Sequence, residues 1–255
     1  MNLLHQSLRA LLFSCLAINC AYSQTLTSGD RQVQLIELYT SEGCSSCPAA
    51  DRWLSRLQTD RGLWSKFVPL AFHVDYWDYL GWEDKFAEEA FSDRQHLHRS
   101  QGNISRVYTP GFVIQGQEWR GWFQKETRPP QSKQKVGELK LILENGVAHV
   151  NFLPTIEISQ AEINFVVLGF GLGHSILNGE NAGTRLEHDF VVLNHQLKPA
   201  DFSNNELNAT FKLKPEPQSS RLAVAAWVTS ANQLKPVQTV GGWYRSSDQI
   251  TAGIR

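Results

Sequence analysis

Two apolar runs in the first third of the chain have the length of β-strands and flank a segment with helical spacing. Residues 33–39 (VQLIELY) form the first run and residues 67–74 (FVPLAFHV) the second. Between them, Ala50, Trp53 and Leu54 recur at a spacing that places them on one face of a helix. Continuously apolar strands suit a parallel sheet that is covered on both faces. The pattern therefore predicts a βαβ unit.

More α/β elements follow the second run. Residues 75–82 (DYWDYLGW) form a polar and aromatic loop, and residues 83–98 have helical spacing. Residues 107–116 (VYTPGFVIQG) then contain an X-Pro bond that leads into a short apolar strand. Together these elements predict an α/β domain over residues 24–125.

The pattern changes after residues 126–135 (ETRPPQSKQK), a polar segment with paired prolines that predicts a linker. Short strand-like runs then follow one another, and Asn145–Gly146 separates two of them as a strong hairpin signal. Several short strands with turn residues between them are typical of a β-sandwich. We therefore predict a second, β-rich and sandwich-like domain over residues 136–255.

The first 23 residues have the pattern of a secretory signal peptide. A start containing Arg9 precedes an apolar run over residues 10–20, and Ala21 and Ser23 are small residues that suit a signal peptidase. We predict cleavage after Ser23 and export to the periplasm or beyond. An N-terminal membrane anchor is the alternative, but the run is well short of the roughly 20 residues that a membrane span needs. Acylation at Cys20, as in a lipoprotein, is a weaker alternative.

The composition changes the list of expected partners. The chain is 42% hydrophobic and 19% charged, which is ordinary for a folded protein. Its 24 basic and 25 acidic residues give a net charge of −1, and no Lys/Arg cluster is present in the sequence. This balance argues against nucleic acid or an anionic membrane as the main partner. Small molecules or other proteins are the expected partners.

Cys44 and Cys47 are the cysteines that remain once the predicted leader, which holds the other two, is removed. A C-x-x-C pair that follows a strand and opens a helix indicates redox chemistry, because the helix start stabilises a thiolate. We predict that Cys44 is the nucleophile and that Cys47 resolves the mixed disulfide. In an oxidising compartment the pair is expected to rest as a disulfide, with no bound cofactor.

Three other interpretations of the pair stay open. A zinc site normally needs four ligands, so His73, His96 or His98 would have to complete it. A copper chaperone would use both thiols and His73, since soft sulfur ligands select Cu(I). A purely structural disulfide is the third, although so short a loop contributes little through chain entropy.

Four segments resemble the bacterial exported family called domain of unknown function 1223, a branch of the thioredoxin-like superfamily. They are residues 33–54 (VQLIELYTSEGCSSCPAADRWL), 70–87 (LAFHVDYWDYLGWEDKFA), 107–116 (VYTPGFVIQG) and 179–192 (GENAGTRLEHDFVV). The resemblance implies a thioredoxin-like fold and a location in the bacterial envelope. It implies no particular reaction or substrate.

The thioredoxin-like arrangement suggests further site residues around the cysteines. A cis Thr109–Pro110 bond would lie beside the pair and leave the Thr109 backbone available to an extended substrate. Glu37, on the strand before the pair, is the candidate proton acceptor for Cys47. It lies one residue farther from Cys44 than the buried acid of thioredoxin, so strand alternation is expected to turn it elsewhere.

Asp75, Tyr76, Trp77 and Trp82 follow the second strand, at the edge of a parallel sheet where sites commonly form. We interpret them as a rim that controls access to Cys44, with capping of the hydrophobic core as an equal alternative. The sequence thus predicts an exported thiol–disulfide oxidoreductase that acts on protein thiols or disulfides. The alternatives are the copper chaperone and a non-catalytic scaffold with a structural disulfide.

Overall fold

The computed structural model describes residues 23–124, 131–214, 219 and 221–245. The predicted leader, apart from Ser23, and the linker residues 126–130 lie outside the described part of the chain. Within it, neither α-helix has the length and apolar character needed to cross a bilayer.

The described residues form fifteen strands and two α-helices. In the first half they are β1 (Ser23–Thr27), β2 (Gln34–Thr40), α1 (Cys47–Arg56), β3 (Phe67–His73), α2 (Glu89–Ser100), β4 (Gly111–Ile114) and β5 (Gln117–Glu118). In the second half they are β6 (Gly137–Glu144), β7 (Val147–Pro154), β8 (Ala161–Phe170), β9 (Leu172–Ser175), β10 (Arg185–His188), β11 (Val191–Pro199), β12 (Asp201–Ser203), β13 (Glu206–Lys212), β14 (Arg221–Ser230) and β15 (Pro236–Trp243). Short 3₁₀ helices cover Leu57–Thr59, Asp78–Leu80 and Gly121–Gln124.

The strands form two large sheets and one small one. The larger sheet has eight strands in the order β15-β14-β8-β11-β3-β2-β4-β5. The second has five in the order β1-β6-β7-β13-β12, and β9 pairs with β10 alone. The predicted βαβ unit is present, because β2 and β3 are parallel from Gln34↔Phe67 to Thr40↔His73 with α1 between them in the chain. Both strands are buried along their whole length.

The predicted fold class, an α/β thioredoxin-like domain followed by a β-rich, sandwich-like C-terminal domain, is wrong. β11 pairs with β3 in parallel through Val191 and Ala71, so strands from both halves of the chain continue a single eight-stranded sheet. With fifteen strands and two α-helices among the described residues, the fold is mostly β-sheet. The second half therefore extends the sheet of the first.

Burial on both faces of the central strands explains why the pattern of apolar residues predicted the wrong fold class. Along β8, Ile163, Phe165 and Val167 belong to a core shared with the five-stranded sheet. Val166 and Leu168 point the other way, into the core that also holds β2 and β3 side chains. A strand covered on both faces is a continuous apolar run, and such a run does not specify which sheet it joins.

The local hairpin prediction is confirmed. β6 and β7 are antiparallel, with Glu144 opposite Val147 across the Asn145–Gly146 turn. Asn145 has φ 50° and Gly146 has φ 74°. Positive φ at both central residues matches the twist of the flanking strands, and Asn-Gly adopts it at low cost.

Candidate functional site

The two cysteines lie in the turn between β2 and α1, at the edge of the sheet where β2 and β3 both end. They form the predicted disulfide, with their Cα atoms 5.4 Å apart. The first residue of α1 is Cys47, so Cys44 lies in the preceding turn, and the Cys47 amide donates to the Cys44 carbonyl at 3.1 Å. Pro48 occupies the first helical turn, where an amide N–H would have no helical partner.

Both cysteines are buried, whereas the two serines between them are exposed. Cys44 is 1% exposed and Cys47 is 0% exposed. Ser46 connects the surface with the buried pair, because its hydroxyl lies 3.4 Å from Cys44 Sγ. Attack on Cys44 therefore requires a local opening near Ser45 and Ser46.

The Thr109–Pro110 bond is cis, as predicted. Ser46, Thr109 and Pro110 line one cavity of about 750 Å³, which we call the Ser46 cavity. The remaining residues in its wall are Arg106, Tyr108, Arg120, Trp122, Phe123 and Gln124. The structure thus brings the Thr109–Pro110 segment beside the cysteine turn.

Trp77 and Trp82, two of the predicted rim residues, contact residues that adjoin the disulfide. Trp77 Nε1 donates to Thr109 Oγ1 at 2.7 Å, and Trp82 Nε1 donates to Glu42 Oε2 at 2.8 Å. Trp77 also packs against Gly43, where a Cβ atom would lie 2.9 Å from Trp77 Cβ. The Trp82 indole therefore contacts the cysteine turn directly, and Trp77 links Gly43 of that turn to Thr109.

Asp75 and Tyr76, the other two rim residues, bond to α2. Asp75 accepts a hydrogen bond from Ser92 Oγ, and the Tyr76 hydroxyl donates to Gln95 Oε1 at 3.0 Å. Gln95 Nε2 in turn donates to the Tyr108 carbonyl at 2.7 Å. Burial raises the pKa of Tyr76 well above its usual range, so its phenol stays a neutral donor. Tyr76 thus supports the segment that leads to the cis bond.

Glu37 lies on the sheet face opposite to α1, as strand alternation suggested. Thr40 donates to Asp51 Oδ1 of α1 at 2.8 Å, and a residue three positions earlier on the same strand points the other way. There Glu37 accepts from Arg94 Nε at 2.8 Å. Burial opposes its charge, but the cation of Arg94 and the neighbouring His98 hold its pKa far below the usual range. The structure does not bring Glu37 to the cysteines, and its role as proton acceptor stays a prediction.

A buried acid–histidine cluster lies next to the cysteine turn. Its members are Glu42, Asp51, His73, Asp84, His174 and His188. Glu42 Oε1 lies 2.9 Å from His174 Nδ1 and 3.3 Å from His188 Nε2. Burial alone would raise the pKa of Glu42, but the nearby His188 and the hydrogen bonds with Trp82 and His174 lower it. Glu42 is therefore a buried carboxylate two residues before Cys44.

Asp51 and His188 form the part of the cluster nearest to Cys47 along α1. Asp51 follows Cys47 by one helical turn, so both side chains lie on one face of the helix. Asp51 Oδ2 is 3.6 Å from His188 Nδ1. Burial would lower the pKa of His188, but the neighbouring carboxylates of Asp51 and Glu42 raise it to about 10. His188 is therefore a buried cation at neutral pH.

Asp84 and His73 complete the cluster. Asp84 Oδ2 accepts from the Glu42 amide at 2.8 Å and lies 2.7 Å from His73 Nδ1. Burial would raise the pKa of Asp84, but its interaction and hydrogen bond with His73 lower it to about 2. Among the described residues, no group of three or more His, Cys, Asp or Glu side chains is arranged to hold a metal ion. The alternative in which Cys44, Cys47 and His73 bind Cu(I) stays a prediction.

Residues 176–184, between β9 and β10, lie over the cysteine turn, and we call them the cover segment. Asn181 Nδ2 donates to the carbonyls of Glu42 at 2.8 Å and Cys44 at 3.1 Å. Glu180 Oε2 accepts from the Ser45 amide at 3.0 Å. The second half of the chain therefore supplies both the cover of the cysteine turn and His188, the buried cation that contacts Glu42 and Asp51.

Sequence reasoning missed several residues of this site. Asp51 had a local signal, the four-residue spacing from Cys47, and Glu42 had one in its position just before Cys44. Asn181 and His188 lie in the family-like segment 179–192, but nothing in the sequence indicated their contacts with the cysteine turn and α1, which join distant parts of the chain. Asn181 is 137 positions from Cys44. Long-range contacts of this kind leave no periodic trace in a sequence.

Two solved structures share the fold. Protein AGR_C_4864 from Agrobacterium tumefaciens is 20% identical, with a TM-score of 0.59 over 82% of this chain and 94% of its own. HBP35 of Porphyromonas gingivalis is 13% identical, with a TM-score of 0.53 over 83% of this chain and 75% of its own. At these identities the likeness concerns the fold alone. No curated protein matches the chain.

The family model described as protein of unknown function (DUF1223) matches residues 35–229. The match includes the cysteine turn, the Thr109–Pro110 segment, the cover segment and His188. It thus spans both halves of the eight-stranded sheet. The chain therefore belongs to the DUF1223 family.

Proposed function

We propose that the chain is an exported thiol–disulfide oxidoreductase that acts on protein thiols or disulfides through Cys44 and Cys47. The observation that carries the proposal is the position of the disulfide. The disulfide is buried directly beneath Ser46. Ser46 lines the Ser46 cavity, and its hydroxyl contacts Cys44 Sγ at 3.4 Å. Export to the bacterial envelope is supported by the pattern of the first 23 residues.

A purely structural role explains less of the geometry. A disulfide between residues three positions apart closes a very short loop and removes little entropy from the unfolded chain. Nor does a structural disulfide need ionised groups at its side. Glu42 and His188 are both buried, and their 3.3 Å pairing offsets the cost of burying charge without being required by a disulfide.

The exchange has two steps. In the oxidising direction a substrate thiolate attacks Cys44 Sγ, the Cys44–Cys47 bond breaks, and Cys47 leaves as a thiolate. A second substrate thiolate then attacks the substrate sulfur of the mixed disulfide, which forms the substrate disulfide and releases Cys44 as a thiolate. The pair has gained two electrons, and an exported disulfide donor must reoxidise it. The same steps in reverse reduce a substrate disulfide.

The acid–histidine cluster supports this chemistry electrostatically. When the disulfide opens, Cys47 becomes a buried thiolate one helical turn from the Asp51 carboxylate. Two neighbouring negative charges in a buried site are unfavourable without a cation. His188, 3.6 Å from Asp51, supplies that cation. His188 thus offsets the repulsion that Asp51 would otherwise add when Cys47 leaves as a thiolate.

Trapping with single cysteine variants tests the proposal. Cys47→Ser leaves Cys44 able to attack a substrate disulfide but removes the resolving thiol, so it should accumulate mixed disulfides with a disulfide-bonded model protein. Cys44→Ser is the matched control and should accumulate almost none. Non-reducing electrophoresis and mass spectrometry of the adducts measure both.

A second measurement addresses the copper alternative. Titration of the reduced chain with Cu(I) should find no tight site if the pair serves thiol exchange. Tight uptake that either cysteine substitution abolishes, together with no trapping by Cys47→Ser, would favour the copper chaperone instead. No trapping and no copper uptake would leave the structural disulfide as the better account.

A further inference from the structure

The Ser46 cavity combines positive charge with an aromatic wall. Two arginines, Arg106 and Arg120, stand at its surface, and Trp122 and Phe123 contribute rings. No aspartate or glutamate is among the described residues that line it. The cavity is therefore suited to a ligand that carries both a negative and an apolar group.

The two arginines differ in whether an acidic side chain pairs with them. Arg120 forms an ion pair with Glu118 at 3.0 Å, and the Tyr108 hydroxyl donates to the same carboxylate at 2.8 Å. Arg106 is exposed, and its guanidinium lies 5.4 Å from the centre of the Tyr108 ring. No described carboxylate lies within ion-pair distance of Arg106. Arg106 is thus the cation available to a ligand.

The aromatic wall of the cavity includes a large apolar side chain, that of Phe123, which is exposed to solvent. Phe123 is 53% exposed, although a ring of this kind normally gains by burial. Trp122 packs on it with ring centroids 4.9 Å apart, and Phe112 supports Trp122 from the core at 6.0 Å. An apolar side chain of a ligand that covers Phe123 would therefore rest on a supported surface.

The backbone at Thr109 favours an extended chain over a compact small molecule. Its side-chain oxygen accepts from Trp77 Nε1, but its peptide N–H and C=O have no hydrogen-bond partner among the described residues. Unpaired main-chain groups at a cavity wall suit a peptide that offers complementary groups.

Resting on the proposed function, we infer that the Ser46 cavity binds an extended segment of a substrate protein with an acidic and a large apolar side chain beside its cysteine. The carboxylate pairs with Arg106, the apolar side chain covers Phe123, and the backbone runs past Thr109. The substrate cysteine is then delivered at Ser46, 3.4 Å from Cys44 Sγ. The site selects substrates by sequence around the cysteine.

The test uses labelled peptides in which serine replaces the cysteine, so that binding is measured without any redox step. A Ser-Glu-Leu peptide is compared with Ser-Lys-Leu and Ser-Glu-Ser peptides by fluorescence anisotropy on the full-length oxidised protein. We expect the first to bind about tenfold more tightly than either of the others. Arg106→Glu should reverse the preference between Glu and Lys, and Phe123→Ser should remove the preference for Leu.

Arg61→Glu is the matched control. Arg61 is exposed and precedes β3, so it lies at the opposite edge of the sheet from the cysteines, and its substitution should leave all three affinities unchanged. Equal binding of the Glu and Lys peptides, no measurable binding, or displacement by an equal concentration of oxidised glutathione, which has no free thiol, would overturn the inference. Peptide selectivity without trapping by Cys47→Ser would instead contradict the proposed function and leave the cavity assignment standing.

Discussion

The two sides of the cysteine turn use charge in opposite ways. On one side, the acid–histidine cluster buries His188 within ion-pair distance of both Glu42 and Asp51. On the other side, Arg106 stands exposed at the Ser46 cavity. Buried charges are strongly coupled to each other and to folding, whereas exposed charges are screened and mainly select partners. Substitutions on the two sides should therefore affect different quantities.

The largest expected effect comes from removing the buried cation. His188→Leu leaves Glu42 and Asp51 without their positive partner, and we expect the free energy of unfolding to fall by about 3–5 kcal/mol. Urea unfolding followed by tryptophan fluorescence measures the loss. His96→Leu, at an exposed position on α2, is the control and should change stability by less than about 0.5 kcal/mol. A loss below about 1 kcal/mol for His188→Leu would mean that the cluster is not electrostatically coupled.

The same cation predicts how stability depends on pH. The pKa of His188 is raised from 6.5 to about 10 in the folded chain. Its contribution is therefore fully present below pH 6.5 and is lost as the pH rises towards 10. We expect the stability difference between the wild type and His188→Gln to be largest near pH 6 and to shrink by pH 10. Comparing the two proteins cancels the other groups that titrate in this range, and a constant difference would contradict the assignment.

A smaller effect is expected where the cover segment meets the turn. Asn181→Ala removes the two hydrogen bonds to the carbonyls of Glu42 and Cys44, which together contribute about 1–2 kcal/mol. The disulfide should then be reduced by dithiothreitol about tenfold faster, because the segment opens more easily. Asn208→Ala, in the five-stranded sheet, is the matched control and should leave the rate unchanged. An unchanged rate for Asn181→Ala would place the access route elsewhere.

The smallest expected effect is a difference in salt dependence between peptide binding at the Ser46 cavity and stability at the acid–histidine cluster. Raising ionic strength from about 50 mM to about 500 mM should weaken binding of the Ser-Glu-Leu peptide about threefold, because Arg106 is exposed to solvent. The loss of stability in His188→Leu should hardly change over the same range. Equal salt sensitivity on both sides would remove the distinction between them.

Local chemistry was the part of the structure that the sequence could predict. Strand length, helical spacing and Asn145–Gly146 indicated the βαβ unit and the hairpin, since these depend on neighbours in the chain. The C-x-x-C spacing indicated the disulfide for the same reason. The parallel pairing of β11 with β3 could not be predicted from local sequence patterns, because it is made through Val191 and Ala71, which are far apart in the sequence.

The candidate site likewise contains residues that short motifs identified and residues whose role depends on long-range contacts. The cysteines and Thr109–Pro110 were identified from short motifs, and the structure brings them together at the Ser46 cavity. Glu37 illustrates the limit of motif analogy, because one residue of offset on a strand moves a side chain to the opposite face. His188 was missed because an isolated histidine gains its charge from tertiary neighbours, which a sequence does not display.

The origin of the cover segment in the second half of the chain matters during biosynthesis. Chains are made and delivered from the N-terminus, so Cys44 and Cys47 emerge well before Asn181 and His188. In that interval the thiols have neither their cover nor their buried cation. The nascent chain also lacks the helix start that favours a thiolate, so the arrangement proposed to govern thiol exchange forms only once both halves of the chain have folded together. Completing the chain is the step that ends this exposure.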